Sequence, residues 1–409
     1  MTHQELIPHL FRTEFSKITA VLCRRFGADH IEMAEDIASE TFMLAIETWT
    51  YSKIPENPTA WLYAVAKNKA KNHVTRQHIF TDKVKPNLPP QELTTAEIDI
   101  DLSEQNISDS QLQMLFAICH PAIPLESQIG LALRILCGFG IDEIANAFLT
   151  NKETTNKRLF RAREKLRIEK IPIAIPGENE INNRIDAVLI TLYLLFNEGY
   201  YSESKEAVVQ EELCQEAMRL CRLLIGSPQT NTPSVNALMA LMCFHSSRFQ
   251  ARQGVNGELV LYQDQDESLW NQKLIANGAI YLKEASQGTR VSKYHFEASI
   301  AYWHTIKQDT KEKWENILLL YNQLLQLEYS PIAALNRTYA LAKVQGKEAA
   351  IVEAEKLKLV DNHFYFTLLG ELYKDIDNTQ ATYYLEQALA LAKTSTDRQT
   401  IQRSIDLLR

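Results

Sequence analysis

Apolar positions recur along most of this chain with the 3.6-residue period of an amphipathic helix. Leu6, Leu10, Phe11, Phe15, Ile18, Leu22 and Phe26 form one stripe, and Ile37, Ala38, Thr41, Phe42, Ala45 and Trp49 form a second. The turn from Pro55 to Pro58 then introduces a helix through Trp61, Leu62 and Val65, so residues 1–85 are predicted to be a compact three-helix or four-helix bundle. Glycine and proline number 13 each in 409 residues, and strands have little support. The predicted fold class is all-α.

The pattern breaks over residues 86–110, where Pro86, Pro89 and Pro90 interrupt helix and Glu92, Glu97, Asp99, Asp101, Glu104 and Asp109 meet no base. That composition predicts an acidic, flexible linker. A second helical unit covers 111–170, and the proline-stiffened run IPIAIPGE leads through a short linker at 171–179 into a large helical region at 180–409. Near its end Asn336 and Gly370, and Tyr339 and Tyr373, each stand 34 residues apart. Leu369, Gly370, Tyr373, Ala381, Leu385 and Ala388 fit the small-and-large packing of a tetratricopeptide unit.

Residues 140–167, GIDEIANAFLTNKETTNKRLFRAREKLR, read as a helix, a short turn and a basic helix. The first helix packs through Ile141, Ile144, Ala145, Phe148 and Leu149. In the second, Thr155, Leu159, Ala162 and Leu166 make one apolar stripe, leaving Thr154, Asn156, Lys157, Arg158 and Arg161 on the opposite face. Donors placed in this way suit base edges and phosphates in a major groove. A solvated basic surface helix is the plainer reading of the same residues.

Charge narrows the choice. Lys and Arg number 43 against 51 Asp and Glu, a net charge of -8, which excludes a protein that coats nucleic acid over its whole surface. DNA contact therefore needs local patches. One is the basic helix with Lys152; another is the acid-free segment from Thr59 to Gln77 with Lys67, Lys69, Lys71, His73 and Arg76. Its mixture of aromatic and basic residues suits unpaired bases, although Trp61 is expected in the core. Glu35, Asp36 and Glu40 sit on a helix whose other face is apolar; such carboxylates are most often a solvated surface, but they also suit docking of a basic partner.

Six scattered cysteines without paired spacing are expected to be reduced and buried, and no metal site is expected, the adjacent Cys119 and His120 included. No signal segment or membrane-length apolar run is present in the sequence, so a soluble, cytoplasmic protein without membrane association is expected. Phosphate loops, zinc motifs and nucleophile elbows are missing from the sequence. The runs LYLLFNEGYY (192–201) and LYQDQDESLW (261–270), with Asp264, Asp266 and Glu267, suit a pocket lining or helix caps and turns equally.

The order of these blocks resembles the extracytoplasmic-function (group IV) sigma factors of bacterial RNA polymerase, in the subgroup with a large helical, tetratricopeptide-like C-terminal extension. AEDIASETFMLAIETW and NPTAWLYAVAKNKAKNHVTR are similar to region two. ISDSQLQMLFAICHPAIP and the stretch LALRILCGFGIDEIANAFLTNKETTNKRLFRAREKLR are similar to region four. LYLLFNEGYY, ALMALMCFHSSRFQARQ, GELVLYQDQDESLW and SPIAALNRTYALA are similar to the extension.

The resemblance implies that Asp36, with Glu35 and Glu40, contacts the clamp coiled coil of core RNA polymerase, whose flap is a further partner. It implies that the loop from Tyr51 to Pro58 and Asn68 handle the minus-ten element of promoter DNA while Lys67, Lys71 and Arg76 hold phosphates. Lys152, Thr154, Asn156, Lys157, Arg158 and Arg161 would read the minus-thirty-five element. The extension would be a regulatory domain taking a protein or ligand, with no cofactor and no catalysis in this chain. Asn72 departs from the family's usual Asp, and Glu153, Thr154, Thr155 and Asn156 fix no base preference. Two rivals are a stand-alone helix-turn-helix regulator with a helical sensor, which leaves residues 30–77 unexplained, and a tetratricopeptide-type protein-binding scaffold, which leaves the exposed Arg and Lys unexplained.

Overall fold

A computed structural model describes residues 3–51, 53–84, 100–148, 150–200, 211–252, 254, 260, 262–392 and 394–408. Among these the regular structure is helical and no strand occurs, as the apolar period predicts. The chain divides into two compact units, residues 1–194 and 195–409.

The first unit opens with α1 (His3–Phe26), α2 (Ile31–Tyr51) and α3 (Pro58–Val84). Next come α4 (Glu104–Ile118) and α5 (Leu125–Leu131), the latter continuing into a π-turn at Ala132–Leu136. Then follow α6 (Ile141–Ala147), α7 (Lys152–Ile168) and the start of α8 (Glu178–Tyr200). Most of the predicted stripes are inside: Leu10, Phe15, Ile18 and Leu22 on α1, Ile37, Phe42 and Trp49 on α2, and Leu62 on α3 are buried, while Leu6, Phe11 and Phe26 are half-buried. Trp61 packs on Trp49 with ring centroids 5.2 Å apart.

One stripe understates α1. Ser16, Thr19, Ala20, Val21 and Cys23 are buried as well, because α1 is enclosed on more than one face. Its Phe11 meets Phe42 of α2 and its Glu14 accepts a hydrogen bond from Tyr63 of α3, while Ser16 accepts from Gln111 and Arg24 donates to Asn106, both on α4. Small side chains on that second face let α4 approach. The two segments expected as separate domains, 1–85 and 111–170, thus pack into one unit.

The predicted linker over 86–110 needs correction at its end. Its first fourteen residues, 86–99, lie outside the described residues. From Ser103, whose Oγ accepts from the Asn106 N–H and caps the helix, the chain is α4, with Ile107 and Ser110 buried. The boundary expected at 171–179 shifts too: α8 starts at Glu178, and most of it, up to Leu194, belongs to the first unit, where Arg184 donates to the Phe116 carbonyl and Thr191 to Gln128. Truncation near Pro176 would strip that cover from α4 and α5.

The second unit holds α9 (Glu211–Gly226), α10 (Pro233–Ser246), α11 (Phe249–Arg252), α12 (Gln272–Ala285) and α13 (Lys293–Trp303). It continues with α14 (Lys311–Leu327), α15 (Pro331–Gln345), α16 (Lys347–Leu357), α17 (His363–Tyr373), α18 (Asn378–Leu391) and α19 (Ser395–Asp406). α10 is apolar on nearly every face, from Val235 to Phe244, and is accordingly central. The 34-residue spacing places Asn336 and Tyr339 on α15 where Gly370 and Tyr373 stand on α17. α18 folds back on α17, and a Cβ at Gly370 would lie 2.6 Å from Leu385 Cγ and 3.2 Å from the Ala381 carbonyl. Gly370→Ala is expected to destabilise this helix pair by about 1–3 kcal/mol through overpacking. Hydrogen exchange of α17 and α18 amides reads it; unchanged protection would mean that Leu385 yields freely.

Candidate nucleic-acid interface

The α6 to α7 segment is built from local rules. Gly138, at φ +69°, turns the chain out of the π-turn in the left-handed region open to glycine. Glu143 reaches back to accept the Gly140 N–H at 2.6 Å, which supplies the start of α6 that Gly140 itself lacks. Asn151 caps α7 by accepting the Thr154 N–H at 2.8 Å. The predicted α7 stripe of Thr155, Leu159, Ala162 and Leu166 is its buried set. On α6, Ile144 and Ala145 are buried and Ile141 half-buried; Phe148 beyond it is half-buried, and Leu149 lies outside the described residues.

The opposite face of α7 is open. Lys152, Thr154, Asn156, Lys157 and Arg161 are exposed, and Arg158 is half-buried. Three of its cations have acidic neighbours: Lys152 with Asp142 at 2.9 Å, Lys157 with Glu153 at 2.6 Å and Arg158 with Glu126 at 2.9 Å. Exposed pairs of this kind are worth at most about 1 kcal/mol, so an approaching phosphate can displace the carboxylate.

On α3, Asn57 accepts the Ala60 N–H and Pro58 takes the first helical position, which fixes where the helix begins. Asn68 and Lys71 are exposed and Lys67 half-buried, and their spacings of three and four residues bring them to one side of α3. Arg76 is on α3 with its side chain outside the described residues, as is part of the expected loop from Tyr51 to Pro58.

The three α2 carboxylates part company. Asp36 is exposed; Glu40 is exposed and pairs with Lys69 of α3 at 2.8 Å. Glu35 is 6% exposed, and both oxygens are engaged: Oε1 accepts from Arg134 Nε at 2.9 Å and Oε2 pairs with Arg163 Nη2 at 2.7 Å. It is thus not displayed to a partner, which corrects its expected place on a docking surface. Nearby, the buried Cys23 thiol is pushed up, by desolvation first and then by the Glu35 carboxylate.

Four residues outside the expected contact set shape this region. Arg12 of α1 pairs with Glu143 at 2.7 Å and lies 3.9 Å over the Phe139 ring, holding the start of α6. Arg134 also donates to the Phe139 carbonyl at 3.1 Å. A signal for Arg163 existed: it stands four residues after Leu159 and three before Leu166, beside the buried stripe. Asn151 was legible as the cap before a basic helix.

All six cysteines are buried, and among the described residues no cluster of metal-ligating side chains occurs. His120, next to Cys119, accepts the Ala122 N–H through Nδ1. Among the described residues no helix is long and apolar enough to cross a membrane.

Known proteins match two parts of the chain. Residues 10–78, which span most of α1, all of α2 and most of α3, match sigma-70 region 2, and residues 184–286 match a family of unknown function, DUF6596. The chain is similar to the uncharacterized protein R00370 of Rhizobium meliloti, with 33% identity over 389 residues, covering 93% of this chain and 90% of that protein. It is also similar to the ECF RNA polymerase sigma-E factor of Haemophilus influenzae, 26% identical over 152 residues, or 36% of this chain and 79% of that protein. No solved structure matches the chain.

Proposed function

We propose that this chain, which belongs to the sigma-70 family and, over most of its length, to the family of R00370, is a sigma factor that binds core RNA polymerase and directs it to promoters without catalysis of its own. The observation that carries the reading is the sigma-70 region 2 match over residues 10–78, on the helices that display Asp36, Glu40, Asn68 and Lys71. In this reading Asp36 and Glu40 meet the clamp, and Lys67, Asn68, Lys71 and Arg76 handle the minus-ten element. Lys152, Thr154, Asn156, Lys157, Arg158 and Arg161 read the minus-thirty-five element. The second unit, with its tetratricopeptide-like helix pairs, is regulatory, and the protein works in the cytoplasm. Co-purification with core polymerase, followed by run-off transcription from the gene's own upstream region, is the test. Failure to bind core with retention of duplex binding would favour a stand-alone regulator.

Two elements 25 base pairs apart are separated by about 85 Å of helix axis, whereas a 194-residue unit has a diameter of about 40 Å. Reading both at once requires α7 to leave α2, so the Glu35 contacts with Arg134 and Arg163 act as a latch in this reading.

Arg161→Ala is expected to weaken promoter-duplex binding and reduce the slope of log affinity against log salt by about one, since one phosphate contact is lost. Substitution of Asn156 is expected instead to change sequence preference. Salt titrations on matched and scrambled duplexes check both, and an identical slope in variant and parent would remove Arg161 from the phosphate contacts.

A further inference from the structure

The run from Tyr262 to Trp270 in the second unit has no part in the proposed transcription machinery. Its three acids explain little: Asp264 and Glu267 are exposed, and Asp266 caps a short turn by accepting the Ser268 N–H at 2.9 Å. The cations around Tyr262 are another matter. The Arg248 guanidinium lies 5.4 Å from the Tyr262 ring centroid and the Lys313 ammonium 5.2 Å from it. Trp270 stacks on the same ring at 6.1 Å and His304 meets it edge-on at 5.2 Å.

Both cations are nearly out of water, with Lys313 1% and Arg248 8% exposed. Lys313 Nζ donates to Tyr262 Oη at 3.0 Å and to the Ile306 carbonyl at 2.6 Å, both neutral oxygens. Arg248 Nε and Trp270 Nε1 are buried donors with no hydrogen-bond partner among the described residues. Lys307 adds a third cation on the Gln265 carbonyl. Asp309, at the edge, is occupied by Trp314 Nε1 and by Lys343 at 3.0 Å. Buried cations are ordinarily paired with carboxylates, and unpaired donors in such a setting call for an acceptor. His304 is pushed down to about 3, mainly by burial and secondarily by the Arg248 and Lys313 charges. Tyr262, His304 and Lys307 are partly exposed, which leaves a way in from solvent.

We propose that Arg248, Lys313, Tyr262 and Trp270 form a binding site for the oxyanion group of a small ligand, a carboxylate or a phosphate. Arg248 supplies a planar fork and Lys313 a point charge, the combination that holds an oxyanion in one orientation. The aromatic walls exclude water around it. The site does not depend on the sigma-factor reading, because binding is measured on the full chain alone.

The experiment titrates the full-length protein with inorganic phosphate and, separately, with succinate at constant ionic strength, following thermal stability and calorimetric heat. At least one anion is expected to bind saturably, and Arg248→Gln is expected to raise its Kd at least tenfold. Arg248→Lys, which keeps the charge and loses the fork, is expected to fall between the two. General salt stabilisation would act on parent and variants alike. Equal, non-saturating responses of the parent, Arg248→Gln and Arg248→Lys to both anions would overturn the proposal. Should Arg248→Gln not fold, the parent's saturation and the Arg248→Lys Kd decide it.

Discussion

Replacing Glu35 by Ala is expected to destabilise the first unit by about 3 kcal/mol, the lower end of the range for removing one member of a buried ion pair. The carboxylate is 8% exposed at its side chain and holds Arg134 and Arg163, which are 19% and 18% exposed. Without it, two guanidinium groups face each other across a partly dry space. Their residual exposure lets water reach them, which is why the lower end applies. Because the chain has two units, a single unfolding transition is not expected. Hydrogen exchange on the full chain is the better measurement: α2 and α7 amides should lose protection by about two orders of magnitude. Converting all three residues to apolar side chains, Glu35→Met with Arg134→Leu and Arg163→Leu, should recover much of the loss, since the desolvation cost disappears with the charges. Unchanged protection in Glu35→Ala would show that the triad contributes nothing net to holding α2 against α7.

That triad also shows where sequence reasoning stops. The α7 stripe was legible because its residues are three or four apart, and helical geometry alone brings them to one side. Glu35 and Arg134 are 99 residues apart, and no periodicity brings them together. The second buried face of α1 was hidden for a related reason: Ser16, Thr19 and Cys23 are small and partly polar, and their burial comes from distant elements, with Gln111 of α4 donating to Ser16 and Glu35 and Arg163 lying near Cys23. Residues 103–110 read as linker because their acids outnumber apolar positions, yet Ser103 capping and packing of Ile107 and Ser110 make them helix. The Tyr262 cluster draws on residues 248, 262, 270, 304 and 313, so its acids were visible in one run of sequence while its cations were not.

The neighbour of Glu35 is expected to behave differently. Asp36 is exposed on α2, and one step along a helix turns the side chain away from the buried Glu35 contacts. Asp36→Arg should therefore leave stability within about 0.5 kcal/mol of the parent, as surface substitutions do. Its binding to core polymerase should weaken by about tenfold to a hundredfold, because a reversed charge meets a basic partner surface with repulsion. The loss should shrink as salt rises and screening shortens the reach of the charge. Glu35→Gln separates surface from latch: it keeps the side-chain volume and removes the charge that holds Arg134 and Arg163. If docking uses the exposed face of α2 and requires α7 to move away, Asp36→Arg binds core worse than the parent and Glu35→Gln binds as well or better. Equal binding by Asp36→Arg and the parent would take Asp36 out of the interface, and weaker binding by Glu35→Gln would show that the packed unit is itself the form that docks.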